Sequence, residues 1–507
     1  MRIRSFPPPL RRVLAALPGI LSRNVVLACG LATAAVCAGQ HALADTATMA
    51  TRPADNARTR PDTAGVAPPP ADHPAGKTAA VILDGAFRLA AQHAPTSNAR
   101  HFTATGTNVS ALYLSQGATL QLRDPTITSG SQTSSRENSR FEGQNAALLA
   151  TTRSRVTVDG GTIHTTGDGA HAAFAADPGS RIALERVGIH TQGAGAHGIG
   201  VVRGATVVLK DTAIRTDGLR GAALSIDDSD DTSGGSSGDS GGNSGGGNSG
   251  VSHGGGGHIV ATGGTYGTTG ARSPVLYSAG TLEVRDARMQ ADAAEGAVVE
   301  GANAVIVSDS ILRGKTHAVR IYRRVSGDAS ALPGRFAMTG GTLSTDRDAL
   351  FYVTDTHAVI ELDHVRLEAP GGREAVLVEA RADRWGAAGR NGGTVRLQTR
   401  HQILQGVVRA DRLSEAQLVL LDDSHLIGRT TRTGVTLDAG SHWTLTSDSQ
   451  VLALNEPAGT PPDAIPNIDS QGHLLHYDAH LADNAWLGGK RHALPGGGAL
   501  LPDEKIR

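Results

Sequence analysis

The sequence predicts an all-β chain wound as a parallel β-helix, and three observations carry that reading. A template of short alternating apolar residues recurs at intervals of about 25 residues along most of the chain. Glycine is abundant, at 65 residues, while aromatics are scarce at seven Phe, six Tyr and three Trp. That balance suits many tight turns between short strands better than helices around aromatic cores. The only cysteines are Cys29 and Cys37, so the remaining chain has to hold together through its core and its backbone ladders.

The first element is an export signal over residues 1–44. Arg2, Arg4, Arg11, Arg12 and Arg23 precede an apolar run over residues 25–39, and Ala42-Leu43-Ala44 follows as a small-x-small cleavage site. The run is too short to stay in a bilayer as a permanent helix, so no integral membrane segment is expected in the mature chain. Cleavage after Ala44 removes both cysteines. It also removes five arginines and no acid, taking the net charge from −1 to −6. With no basic stripe left, a nucleic-acid partner is disfavoured, because phosphate binding needs clustered Lys and Arg.

Residues 45–80 are rich in Ala, Thr, Pro and Asp without apolar periodicity and are expected to be a disordered leader. A second such stretch, residues 227–257, is acidic and then nearly pure Gly, Ser and Asn, and should be a flexible loop leaving the body.

The body is expected over residues 81–455. Residues 154–163, 180–189 and 205–214 share one template, whose third and fifth positions are apolar: Val156/Val158, Ile182/Leu184 and Val207/Leu209. The pattern continues in Leu120/Leu122, Leu282/Val284, Val305/Val307, Phe336/Met338, Ile360/Leu362, Val395/Leu397, Leu418/Leu420 and Trp443/Leu445. Alternation of period two puts these side chains on one face of a short strand. A turn follows, then a further inward residue such as Ile163, Ile189 or Ile214, then a second strand column opened by His171, His197, Gly221, Gly296, His317, Asp348 and Glu374. One unit cannot bury its apolar face alone. Stacking units about 4.8 Å apart pairs each strand with its copy in the next turn and closes a continuous core.

With its repeat unit, its cysteine-free mature chain, its low-complexity loop and the closing run of residues 440–451 around Trp443, the sequence resembles the passenger domains of pertactin-like autotransporters. The resemblance implies a right-handed β-helix, export through the periplasm to display at the outer membrane or secretion, and roles in adherence and resistance to host defence. It implies a host-cell or matrix receptor as partner, a monomeric chain, and Trp443 as a cap near the end of the core. The Arg-Gly-Asp string of pertactin is absent, so no integrin motif carries over.

Catalytic, cofactor and metal residues are not assigned. Gly238-Asp239-Ser240-Gly241-Gly242 copies the string around a trypsin-like nucleophile, but it sits in a low-complexity tract without the rigid frame that a Ser-His-Asp site needs. His164 and His190, like His171 and His197, hold equivalent positions in neighbouring turns. Such stacked histidines lack a visible third ligand and are expected to be an exposed ladder of like residues. A polysaccharide lyase or hydrolase is the alternative class, since β-helices host many functions. Its candidate carboxylates, Asp227, Asp228, Asp230 and Asp231 or Asp422 with Asp423, are expected to be solvated charge, and the aromatic count is low for a sugar-stacking cleft.

Residues 456–507 contain Pro457, Pro461, Pro462, Pro466, Pro495 and Pro502 and show no repeat, so they are expected to be an irregular tail outside the helix. No β-barrel translocator is expected there, because a barrel of that family needs about a dozen strands of ~10 residues. A truncated reading frame, or a separate barrel protein that exports the chain, is the corresponding expectation.

Overall fold

Alternating side chains along each short strand give every turn one apolar edge per strand, and parallel stacking joins these edges into columns. The structure is a computed structural model that describes residues 81–94, 96–227, 256–323, 332–384, 386–456 and 465–506. The expected signal peptide, the leader and residues 228–255 of the Gly/Ser loop lie outside the described residues. So does the string at 238–242.

The chain forms a parallel β-helix. Counted among the described residues, sheet A has fifteen strands, from Asp84–Ala90 to Ile468–Asp469. Sheet B runs from Ser97–Asn98 to Ala499–Asp503, and sheet C has ten strands, from His101–Ala104 to Arg366–Glu368. A full turn passes through B, C and A in that order, as in Arg155–Asp159, Thr162–Thr165 and Ala173–Ala176. Pairing between turns is parallel, as in Ile182 beside Val156 and then Val207.

The inward column of sheet B runs through Val156, Ile182, Val207, Ile259, Leu282, Val305, Phe336, Ile360, Leu397, Leu418 and Val435, all buried. The repeat template puts Val395 opposite Ile360, whereas the register puts Leu397 there. A two-residue slip leaves the buried face unchanged because the strand period is two. Sheet C adds Ile163, Ile189, Ile214, Tyr266, Met289, Leu312 and Leu343 to the same core.

The corner that follows each sheet B strand needs a left-handed backbone in turn after turn. It is met by Asp124, Gly160, Arg186, Asp211, Gly263, Asp286, Asp309, Gly340, His364, His401 and Asp422, with φ between 47° and 70°. Gly161, next in line at φ 83°, has a further reason to be glycine, since a Cβ there would strike the Pro125 carbonyl oxygen.

Two expectations about the C-terminal part are corrected. Trp443 is not a cap and does not continue the Leu418 column. It lies in sheet A between Leu426 and Ile468, fully buried, and its indole Nε1 donates to the Gly428 carbonyl at 3.0 Å. Nor do residues 465–506 form an irregular tail. Leu474–Asp478 stacks on Ser449–Asn455, and Ala499–Asp503 stacks on Leu474–Asp478. Pro502 is tolerated because its strand is the outermost parallel one, where a missing N–H removes no bond to a further turn. The segment after Tyr477 closes the end: His492–Ala493 runs antiparallel on Ala499–Asp503, and Trp486 Nε1 donates to the Leu454 carbonyl at 3.0 Å. Covering the last strand in this way removes an open edge.

Candidate functional site

The three outward faces differ in what they show to water. On sheets B and C charged and polar outward positions alternate with small and apolar ones, and along the middle of sheet B Ala183, Val208, Val260, Ile306 and Val359 are half-buried. Lys210 pairs with Glu185 at 3.0 Å, His258 with Glu283 at 3.2 Å, and Arg335 with Glu361 at 2.8 Å along sheet B. On sheet C, small Gly188 and Ala213 leave a shallow hollow rimmed by His164, His190, Arg215 and Thr265. His190 lies 2.7 Å from Asp217, which also accepts from Arg215 at 2.9 Å and Thr269 at 2.7 Å. Burial works to raise the Asp217 carboxyl, but bonds from His190 and Thr269 and the charge of Arg215 outweigh it and hold it below its ordinary value. His164 and His190 are thus the half-exposed ladder the sequence suggests, with ring centres 5.1 Å apart.

Over its early turns sheet A is covered on its outward face. The insertion between sheets C and A carries the helix Arg136–Glu142, capped by Ser135, whose hydroxyl accepts from the Asn138 N–H, and closed by Gly143 at φ 65°. The helix lies over a small apolar cluster of Ala146, Leu149, Phe174, Ala176 and Val202. Arg203 holds it by bonds to Glu142 at 2.9 Å, to the Phe141 carbonyl at 2.6 Å and to Asp177 at 2.8 Å.

Under this cover His171 and His197 are not an exposed ladder. His171 is fully buried, the two rings stack 4.8 Å apart at 9°, and both are neutral. The His197 N–H donates to His171 Nδ1 at 3.0 Å and the Ala222 N–H to His197 Nδ1 at 2.9 Å. Each Nδ1 is therefore an acceptor and each proton sits on Nε2, where His171 donates to the Ser139 carbonyl at 3.0 Å. Burial pushes His171 down to about 3 and His197 down to about 4.

Asp227 is likewise no solvated charge. It is buried, accepts from Arg140 Nε at 2.7 Å and from the Ser225 hydroxyl at 2.9 Å, and lies 4.0 Å from His197 Nε2. Burial alone would raise its carboxyl; the Arg140 charge reverses that and holds it below the ordinary range. Asp228, Asp230 and Asp231 lie outside the described residues. Asp422 and Asp423 are exposed at the corner between sheets B and A, and Arg400 pairs with Asp422.

Farther along sheet A, Tyr352 is ringed by charge. Its hydroxyl donates to Asp383 at 2.8 Å, with Arg320 and Arg381 over its ring at 5.7 and 5.8 Å. Arg320 in turn meets Glu295 at 2.7 Å, and Arg409 meets Glu379 at 2.8 Å. Burial, aided by Asp383, raises the Tyr352 phenol to about 12, which works against it as a general base near neutrality.

A third histidine pair escapes the sequence reading. His364 and His401 stack 4.5 Å apart, and both Nδ1 atoms approach Asp363 Oδ1, at 2.6 and 3.1 Å. The available signal was the shared position just after the last residue of a sheet B strand. The irregular interval from residue 364 to residue 401, opened by an insertion after sheet A, hides it.

No protein-family model matches the chain, and no curated protein matches it significantly.

Proposed function

We propose that the chain is an exported β-helix of the autotransporter-passenger type, displayed at the cell surface or secreted, that acts as an adhesin toward a host-cell or matrix receptor. The observation that supports this best is the pair of long ladders on the outward faces of sheets B and C, where Arg, Lys, His, Asp, Glu and Thr alternate with small and apolar residues. Exposed ion pairs such as Lys210 with Glu185 are screened by water and add little to stability, so a surface rich in them is better understood as a recognition face than as a brace. Stacked repeats commonly use such extended faces to bind large partners. Export rests on the arginine-rich segment and apolar run before Ala44.

Residues 45–507 should be tested together, since residues 465–506 belong to the helix. Labelled protein is expected to bind epithelial cells or matrix proteins saturably, and charge reversal at Lys210 and Arg335 should weaken binding without lowering the thermal midpoint. Absence of saturable binding to either surface would overturn the adhesin reading.

A further inference from the structure

We propose that Asp363, His364 and His401 form a surface site for one divalent transition ion of the zinc class, bound through two imidazole nitrogens and one carboxylate oxygen. Their ligating atoms all lie within 4.8 Å of one another. The two Nδ1 atoms converge on the same oxygen, Asp363 Oδ1, at 2.6 and 3.1 Å. Ligands around tetrahedral zinc sit roughly 3.3 Å apart, given metal–ligand bonds of ~2.0–2.1 Å, so small outward shifts seat an ion between them. Mixed imidazole and carboxylate donors suit Zn, Ni or Cu better than Ca or Mg, which prefer oxygen alone.

The backbone preorganises this arrangement. His364 and His401 occupy the left-handed corner position in consecutive turns, at φ 53° and 47°, which fixes both Cα–Cβ bonds and stacks the rings 4.5 Å apart. Most other turns place Asp or Gly at this corner, and His is among the few other side chains that adopt its left-handed backbone. The nearest cation of the adjoining strand, Arg400, is the register partner of Asp363, yet its guanidinium is drawn to Asp422 in the next turn. The site also marks the place where the cross-section changes: Asp363 and His364 precede the last strand of sheet C, and His401 belongs to the first turn without one. Three protein ligands leave a coordination position for water.

Zinc titration of residues 45–507 by calorimetry tests the proposal, with His364→Asn, His401→Asn and Asp363→Asn as variants. Asn is chosen because it accepts a left-handed backbone. One ion per chain is expected for the parent, with affinity falling at least about tenfold in each variant, since even outer-sphere changes cost 10–100-fold. Circular dichroism of the metal-free variants reports whether they fold. Should any variant misfold, Cu2+ electron paramagnetic resonance of the parent supplies the second readout, with coupling to two imidazole nitrogens expected. No stoichiometric binding by the parent, a copper spectrum without nitrogen coupling, or unchanged affinity in folded His364→Asn and His401→Asn would overturn the proposal. The last result would assign the ion to another histidine pair.

Discussion

Turns up to residue 368 and turns from residue 394 onward solve the same packing problem with different cross-sections. In the first region each turn has three short strands, of five, four and four residues in Arg155–Asp159, Thr162–Thr165 and Ala173–Ala176. In the second, sheet C is gone and the strands lengthen to eight, seven and seven residues in Ile403–Ala410, Glu415–Leu421 and His425–Thr431. The interval along the sheet B column shrinks with it: Ile182 and Val207 are 25 residues apart, Leu397 and Leu418 are 21, and Leu418 and Val435 are 17. The perimeter of a turn is set by its residue count, and a short perimeter encloses two faces packed directly on each other where a long one encloses three. The two regions also differ in electrostatics. The histidines pushed furthest down by burial, His171, His197 and His317, lie in the three-sheet region with the Arg140–Asp227 pair, whereas the buried His492 of the closing segment meets the Leu487 carbonyl at 2.9 Å.

The largest expected effect tests whether both regions rely on the same inward columns. Leu209→Asp and Leu418→Asp each place an unpaired charge in the core and should cost on the order of 4–5 kcal/mol or more, unfolding neighbouring turns. Lys210→Asp and Gln417→Asp, on the opposite faces of the same strands, should shift the thermal midpoint only slightly. Equal loss on both faces in either region would break the alternation there.

Trp443→Ala comes next and sharpens the description of the two-sheet region. With the indole fully buried between sheets, truncation should cost about 3–5 kcal/mol by urea titration. A loss near 1 kcal/mol would return Trp443 to a partly exposed end position.

The smallest effect is a difference in acid response. His171 and His197 have folded pKa values depressed below their unfolded value, so they favour the folded state above about pH 6.5 and that contribution is lost as pH falls, because only the unfolded chain takes up the protons. At about pH 5 each should cost on the order of 2 kcal/mol relative to pH 7.5. Hydrogen exchange, corrected for intrinsic rates, should show protection falling in strands Ala173–Ala176 and Ile199–Val202 while Glu415–Leu421 keeps its own. His197→Gln should flatten the response; uniform loss along the chain would dissolve the contrast.

The β-helix and its buried face were legible in the residues because period-two alternation is a local property, and a strand one turn away needs only the same pattern to match it. Val207 and Leu209 declare themselves within five residues of sequence. The end of the helix was harder to read, because a fixed template aligned Trp443 with Leu418 when the unit had already shortened. Leu474, Leu475, Tyr477 and Leu500 of the last turns were masked by the surrounding prolines and glycines, although an outermost strand tolerates Pro502.

What the sequence by itself determined is which side chains face inward, since that depends on neighbours along the chain. What only the tertiary structure decided is which outward residues meet. Arg140 reaches Asp227 across 87 positions, and His401 reaches Asp363 across 38. Those distances are fixed by how many residues each turn and each insertion consumes, and stacking sums these lengths before any two side chains come within hydrogen-bond reach. The same sum buried His171 and Asp227, which local polarity alone assigns to water.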